Sequence, residues 1–454
     1  MATVRSGVPG LRARTHGRLL APEHPAYDAS RRTFNAMAVG RPIAILQPED
    51  TADVVAAVRW AEDADVAIGI RGGGHSVAGH SAPDGALLID LSTWRGAEVD
   101  AVERTAVALA GSRLMDLDAA TAAHGLAAPS GTFVDTGIGG LTLGGGISFI
   151  VASEGFACDA LIGAELITAA GEVVEVDEER EPDLLWGLRG GGGNFGVVTR
   201  LRYRLTDVTQ IAGGRVRFRG DGVHRVLERI IALEHEAPDA LSMQVLAWRS
   251  PDDGALGLTL LVAWRGDATG GAGAVADLTA DPCHLDGDVR AMSWLQLQAL
   301  NPPLPFGLRH YWKGHLVRET PAALADAVLE AAGEITGRSV ILLELIHGAA
   351  HRIPAASAAF GGRAAAANVT ALAIWGDPAA DEEQVAWARG AAARCERFSL
   401  RGGGYLNYPE MDQSASRVAA AFGPEAFERL RRLKRLHDPA NRFRFNANIP
   451  PANS

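Results

Sequence analysis

The chain has 454 residues, 47% hydrophobic and 21% charged, with 53 glycines and 22 prolines. That composition excludes disorder, collagen and coiled coil, and at about 100–200 residues per domain the length predicts two or three domains. A net charge of −11, with Lys313 and Lys434 the only lysines among 43 basic residues, argues against nucleic acid as a partner.

In chain order, Pro48-Glu49-Asp50-Thr51 opens an amphipathic helix, DVVAAVRWAEDA, with an acidic first turn. The β-branched run VAIGI (66–70) stops at Arg71-Gly72-Gly73-Gly74, and ALLIDL (86–91) and TAVALA (105–110) read as strands. A helix from about Ser112 to His124 completes an alternation that suggests a mixed α/β domain. Residues 130–146, SGTFVDTGIGGLTLGGG, hold seven glycines in 17 positions, a density that lets backbone approach another group closely. Two strands follow around a turn at Ala170-Gly171, then a helix PDLLWGLR (182–189), a third glycine loop (190–196) and the strand VVTRLRYRL.

After Thr206 the texture changes to Ala-rich amphipathic helices (322–333, 383–394) and alternating strands (240–248, 256–264, 340–347, 369–375). This predicts a second domain over 207–400. The tail, 401–454, carries Tyr405-Leu-Asn-Tyr408, read as extended, a basic helix FERLRRLKRLHD, and Asn441-Arg-Phe-Arg-Phe-Asn446.

Cys158, Cys283 and Cys395 lie far apart, with no disulfide framework and no paired metal-ligand spacing. No apolar stretch reaches the roughly 18 residues needed to cross a bilayer. Ser30-Arg-Arg-Thr-Phe34 faintly resembles a twin-arginine signal, but Arg41 and Pro42 interrupt what would be its apolar region. The expectation is a soluble cytoplasmic protein with no membrane partner.

Gly191-Gly-Gly-Asn-Phe-Gly196 satisfies G-x-G-x-x-G, yet a helix precedes it and a strand follows, the reverse of a dinucleotide fingerprint. There is no GxxxxGK[ST] sequence. Three glycine loops in one chain still suggest backbone amides lining an extended anionic ligand. The turn RGGGHSVAGHS (71–81) admits three chemistries. Gly74-His75-Ser76-Val77-Ala78 is one residue from a hydrolase elbow with Ser76 as nucleophile. His75 and His80 could share a metal, but no HExxH or carboxylate cluster accompanies them. An unprotonated His75 nitrogen could also attack the electrophilic 8α-methylene of a flavin quinone-methide tautomer.

RGGGHSVAGHS, GTFVDTGIGGLTLGGG, LLWGLRGGGGNFGVVT, YLNY and DPANRFRFNANI together resemble, in order, the signatures of bacterial berberine-bridge-enzyme-like flavoproteins of the vanillyl-alcohol-oxidase (PCMH-type FAD-binding) superfamily. The resemblance implies an α+β fold: a PCMH-type FAD-binding domain of two α/β subdomains over 1–206, a substrate domain with an antiparallel sheet covered by helices over 207–400, and a C-terminal segment, 401–454, that supplies an active-site YLNY strand and returns to the FAD domain. It implies FAD held through a single 8α-histidyl bond to His75. Arg71, Gly72, Gly73, Gly74, Ser76, Gly79 and His80 surround that bond, Thr136, Gly137, Gly139, Gly140, Gly144, Gly145 and Gly146 form the second loop, and Val197, Asn407 and Asn446 complete the cofactor set. Where many relatives carry a second, cysteine link, this chain has Phe133. The place of the family's oxygen gate is Thr136, slim enough to imply an oxidase.

The expected reaction removes hydride from a C–H beside a hydroxyl or amine of a small molecule (a sugar, alcohol or secondary metabolite) and passes electrons to dioxygen as hydrogen peroxide. Tyr405 is the expected base, which requires a cation beside it, Arg401 being nearest in sequence. His310, Tyr311, Trp312, Lys313 and Glu344 or His347 are candidate substrate contacts, the last two on opposite faces if 340–347 is a strand.

Overall fold

The computed structural model describes residues 8–453; the first seven residues of the expected FAD domain and Ser454 lie outside them. The strands β1 (Arg18–Leu20), β2 (Ala44–Gln47), β3 (Ile68–Arg71) and β4 (Leu87–Asp90) form a sheet of order β1-β2-β4-β3, parallel from β2 to β3. The helix α1 (Thr51–Asp63) packs Val54, Ala57, Val58 and Ala61 into the same core as Leu46 and Leu87. It starts at Asp50, whose side chain accepts the Asp53 N–H at 2.9 Å, one of the donors a helix start leaves free.

The strands β5 (Ala97–Asp100), β6 (Thr105–Leu109) and, after the short β7 (Leu126–Ala127), β8 (Leu161–Ile167), β9 (Val173–Val176) and β10 (Val197–Arg204) make a second, antiparallel sheet of order β5-β6-β10-β8-β9. β7 lies outside it and pairs with β11 (Thr206–Asp207). The helices α2 (Leu114–Ala122), α3 (Ile138–Leu143) and α4 (Pro182–Leu188) carry the connections.

The third sheet is antiparallel throughout. It comprises β12 (Ile211–Arg219), β13 (Leu241–Arg249), β14 (Leu256–Arg265), β15 (His284–Asp286), β16 (Arg290–Ala291), β17 (Arg309–Val317), β18 (Val340–Leu345) and β19 (Ala367–Trp375). Its order is β15-β12-β14-β13-β18-β19-β17, with β16 beside β12. One face buries Val245, Leu260, Leu343 and Val369 under the helices α5 (Val223–His235), α6 (Ala322–Gly333) and α7 (Asp381–Cys395). Alternation turns Glu344, Asn368 and Trp312 to the other face, toward the first half of the chain. Both faces are covered, so β19 is buried from end to end.

The last helix, α8 (Pro424–His437), sends Leu430 and Leu433 into the first core, joined by Phe443 and Ile449. Its Lys434 is wholly buried and donates to Asp438 at 2.7 Å and to the carbonyls of Asn194 at 2.7 Å and Phe443 at 2.9 Å. One of the two lysines thus ties the tail to the third glycine loop. Among the described residues, no helix is long and apolar enough to cross a membrane.

β12, β17 and α5 are additions to the expected elements, although α5 buries Val223, Val226, Leu227, Ile230 and Ile231 at helical spacing, and YLNY is not a strand. The Tyr408 N–H donates to the Tyr405 carbonyl at 2.9 Å, closing a turn, because Tyr405 and Asn407 are drawn onto the second glycine loop.

Candidate functional site

β3 runs beside β4 and releases the chain at Arg71, where Gly74 takes φ +73° and turns it into the cleft between the two halves. A methyl group on Gly73 would sit 2.5 Å from Gly137 Cα, so the first two glycine loops touch backbone to backbone. The cleft encloses about 1640 Å³ with its mouth included. The first loop gives it Gly72, Gly73, Gly74, His75, Ser76 and His80, and the second gives Thr136, Gly137, Gly139, Gly140 and Gly144. The third contributes Gly190 to Gly193 and Gly196. At Gly140 and Gly193 nothing lies within 4 Å of where a side chain would begin, so bare backbone faces open space. Among the described residues no Asp, Glu, Lys or Arg lines the cleft, and burial pushes His80 down to about 4, leaving it neutral.

Five expected cofactor contacts do not line this cleft. The Arg71 guanidinium is buried, and its donors go to the carbonyls of Ser30, Arg31 and Ser81 and to Asp90. It shapes the loop, since a buried guanidinium must spend its hydrogens on acceptors within reach. Gly79 packs against Ala38, and Gly145 against the Phe360 ring. Gly146 gives its N–H to Tyr405. Val197 sits in the β10 ladder opposite Ile167, while its neighbours Gly196 and Val198 line the cleft, as strand alternation requires.

The His75 ring stacks on Phe34, with centroids 4.2 Å apart and planes 16° apart. Phe34 in turn stacks on His310 at 4.2 Å. His75 Nε2 lies 3.7 Å from Asp135 Oδ2, and neither Nε2 nor Asp135 Oδ1 has a hydrogen-bond partner. Burial alone would raise the Asp135 carboxyl, but His75 and Arg113 together hold it below the usual range. Ser76 Oγ accepts the His80 backbone N–H at 3.2 Å, and among the described residues no imidazole bonds it, so the nucleophile–base pair of a hydrolase is missing. Nor do the described residues contain a cluster able to hold a metal.

At the far end, Tyr405 Oη accepts three hydrogens, from Gly146 N at 2.9 Å, Ile147 N at 3.1 Å and Asn407 Nδ2 at 2.9 Å. Burial, reinforced by the Glu344 carboxyl, pushes the phenol well above its usual value in spite of those donors. The cation expected beside it is elsewhere: Arg401 donates to the Gly361 carbonyl. Tyr408 stands edge-on to Tyr405 at 5.0 Å and to Trp312 at 5.3 Å, and all three line the cleft. Tyr408 donates to Glu344 Oε1 at 3.2 Å, and Asn368 Nδ2 donates to the same carboxyl at 2.7 Å. Glu344 is completely buried, which pushes it up to about 7.

The other candidates divide by strand face. Trp312 lines the cleft, and His310 is buried behind Phe34 and pushed down to about 4, chiefly by burial. Tyr311 points the opposite way, to Asp412 and Arg389. Lys313 pairs with Glu410, and His347 with Glu234 at 2.5 Å, so neither lines the cleft. Sequence reasoning passed over Asp135, Tyr408 and Asn368. Asp135 lies within GTFVDTGIGGLTLGGG and Tyr408 within YLNY, whereas Asn368 lies in none of the motifs.

FAD fits this residue set. Bared amides suit a pyrophosphate, the aromatic end suits a ring system, and two residues that line the cleft, Asn446 and Ser81, each keep a buried side-chain oxygen without a protein partner. Asn446 is held in place by its own donations to the Gly193 and Phe443 carbonyls, each at 3.1 Å. His75, Asn446 and the bare loops would hold the group.

Comparison with known proteins agrees. Residues 42–177 match the FAD binding domain model and residues 404–450 the model described as berberine and berberine like. (R)-6-hydroxynicotine oxidase of Paenarthrobacter nicotinovorans is 28% identical over 96% of this chain and 97% of its own length. The crystal structure of 6-hydroxy-D-nicotine oxidase from Arthrobacter nicotinovorans superposes with TM-score 0.88 at 27% identity, covering 96% of this chain and 98% of that one. A single-residue variant of berberine-bridge-enzyme-like 1 of Physcomitrella patens shares the fold, with TM-score 0.90 at 24% identity over 98% of this chain and all of its own.

Proposed function

For a chain that belongs to the berberine-bridge-enzyme-like FAD-linked oxidoreductases, we propose oxidation of an uncharged small molecule at a C–H beside a hydroxyl or amine, with hydride delivered to FAD and the electrons passed to dioxygen as hydrogen peroxide. Bound FAD supplies the hydride acceptor. What this chain adds is the handling of substrate and proton.

The observation that carries the reading is the Tyr408–Glu344 couple at the aromatic end of a cleft that, among the described residues, is lined by no Asp, Glu, Lys or Arg. A substrate hydroxyl must lose its proton as hydride leaves. Tyr405, expected to be the base, has three N–H groups on its oxygen and no cation nearby, which suits it to donate its own hydrogen to the substrate oxygen. Tyr408 takes the proton and hands it to Glu344, whose carboxyl titrates close to neutrality. Trp312 supplies an apolar wall, and a formally charged substrate would have no counter-ion in the cleft.

His75 is the single attachment point in this reading. Phe133, also on the cleft, occupies the place of the second link and has no nucleophile. Thr136 is slim and lines the cleft, which supports the oxidase reading over a dehydrogenase.

The test is anaerobic bleaching of the flavin against neutral alcohols, sugars and phenols, and amines held above their pKa, beside acidic and cationic analogues, followed by a peroxide assay in air. Neutral compounds should bleach it and release peroxide. Bleaching by charged analogues alone, or reoxidation without peroxide, would overturn the proposal.

A further inference from the structure

We infer that Asp135 readies His75 for attachment, by taking the hydrogen of its Nε2 and so presenting the Nδ1 lone pair to the cofactor. This rests on the reading that His75 carries FAD. Three observations bear on it. First, His75 Nε2 and Asp135 Oδ2 are 3.7 Å apart, and each group keeps an atom without a partner, Nε2 on one side and Oδ1 on the other. Buried polar atoms in such a state are the exception in folded proteins.

Second, the imidazole is not free to turn away, because Phe34 stacks on its face at 4.2 Å and is itself backed by His310. Third, the Asp135 backbone is bolted down on both sides. The Val134 carbonyl accepts from Met115 N and the Thr136 carbonyl from Leu114 N, each at 2.9 Å. The backbone contact of Gly73 with Gly137 then fixes the two loops in register. A carboxylate and an imidazole so placed form the orienter–nucleophile pair of covalent catalysis, in which the anion selects the tautomer.

The step balances. A bond forms between His75 Nδ1 and the 8α-carbon, the Nε2 hydrogen passes to Asp135, and one C–H hydrogen of the 8-methyl group is lost as a proton. The electron pair left on the cofactor is removed by dioxygen, which takes up both protons and leaves as hydrogen peroxide. Asp135 acts on the cofactor only through His75 and is in that sense a positioning residue.

The experiment follows attachment rather than turnover. Full-length wild type, D135N and D135E are expressed with FAD limiting, then supplied with FAD in air. Acid-stable flavin is followed on denaturing gels and by intact mass, beside non-covalent FAD affinity and thermal unfolding. Wild type should become fully acid-stable. D135N should bind FAD and melt like wild type but attach it slower on the order of 10²-fold, the lower end of proton-transfer contributions, and D135E should recover part of the rate. D135N attaching as fast as wild type overturns the inference and leaves the His75 reading standing. Wild type releasing all its flavin in acid, or H75A retaining it, overturns that reading instead. Should D135N fail to fold, D135E decides: slowed attachment with FAD bound supports the inference, and an unchanged rate overturns it.

Discussion

Tyr408 aims its hydroxyl at Glu344, Oη to Oε1 at 3.2 Å, across 64 residues of sequence. Glu344 lies on β18, buried on the sheet face that looks toward the first half, and Tyr408 stands between it and the cleft. A proton leaving a bound substrate by this route would reach a carboxyl near neutrality, which can both accept it and release it.

The first prediction concerns pH. Glu344 must be ionised to draw the proton, so anaerobic flavin reduction should rise with pH through about 7 and level off above it. Stability takes the opposite sign. The folded carboxyl titrates at about 7 against 4.5 unfolded, so its contribution is complete below 4.5 and is lost as pH climbs through about 7. Glu344→Gln should flatten both profiles and slow reduction about 10²-fold or more. Stopped-flow rates and urea midpoints across that window check this.

Tyr405 and Tyr408 should separate by readout. Tyr408→Phe cuts the relay and should slow reduction about 10²–10⁴-fold with little change in stability. Tyr405→Phe strips the acceptor from the buried N–H groups of Gly146 and Ile147, which costs about 1–3 kcal/mol for each donor left unpaired. That variant should melt earlier and also react more slowly. Paired denaturation and rapid-reaction measurements decide it, and equal melting temperatures would contradict the assignment.

Gly73→Ala tests the contact between loops. The new methyl group would meet Gly137 Cα at 2.5 Å, backbone against backbone, so the loops must part. Overpacking of this kind costs about 1–3 kcal/mol, and FAD retention should fall with it. Gly140→Ala, which meets no atom within 4 Å, should fold normally and lose FAD affinity alone. Differential scanning calorimetry with a flavin-release assay separates the two.

Lys434→Met should be among the most destabilising single changes, at about 3–5 kcal/mol, because it leaves the buried Asp438 and two carbonyls without their shared donor. Urea unfolding of the holoprotein should show the loss. Adding Asp438→Asn should recover part of it, since the stranded charge is then gone.

Local pattern carried much of the architecture. The amphipathic runs and β-branched stretches read in the first 204 residues, and the helices 322–333 and 381–395, fold close to where periodicity puts them, because each carries within its own few turns or residues the apolar face that it buries. YLNY misled for the complementary reason. Its composition suits a strand, but Tyr405 is recruited by backbone N–H groups 258 and 259 residues away. The partners of Arg71 were equally hidden, since nothing local says that acceptors of its guanidinium are the carbonyls of Ser30 and Arg31.

By itself, the sequence determined the glycine-bared loops, the histidine at the end of an early strand and the order of the motifs, all properties of short segments. Only the tertiary structure decided which groups answer one another: Asp135 facing His75, Glu344 behind Tyr408, Val198 rather than Val197 on the cleft. Proton affinity and charge are set by burial and by partners a few ångströms away, and distant segments become such partners when the two halves close on each other.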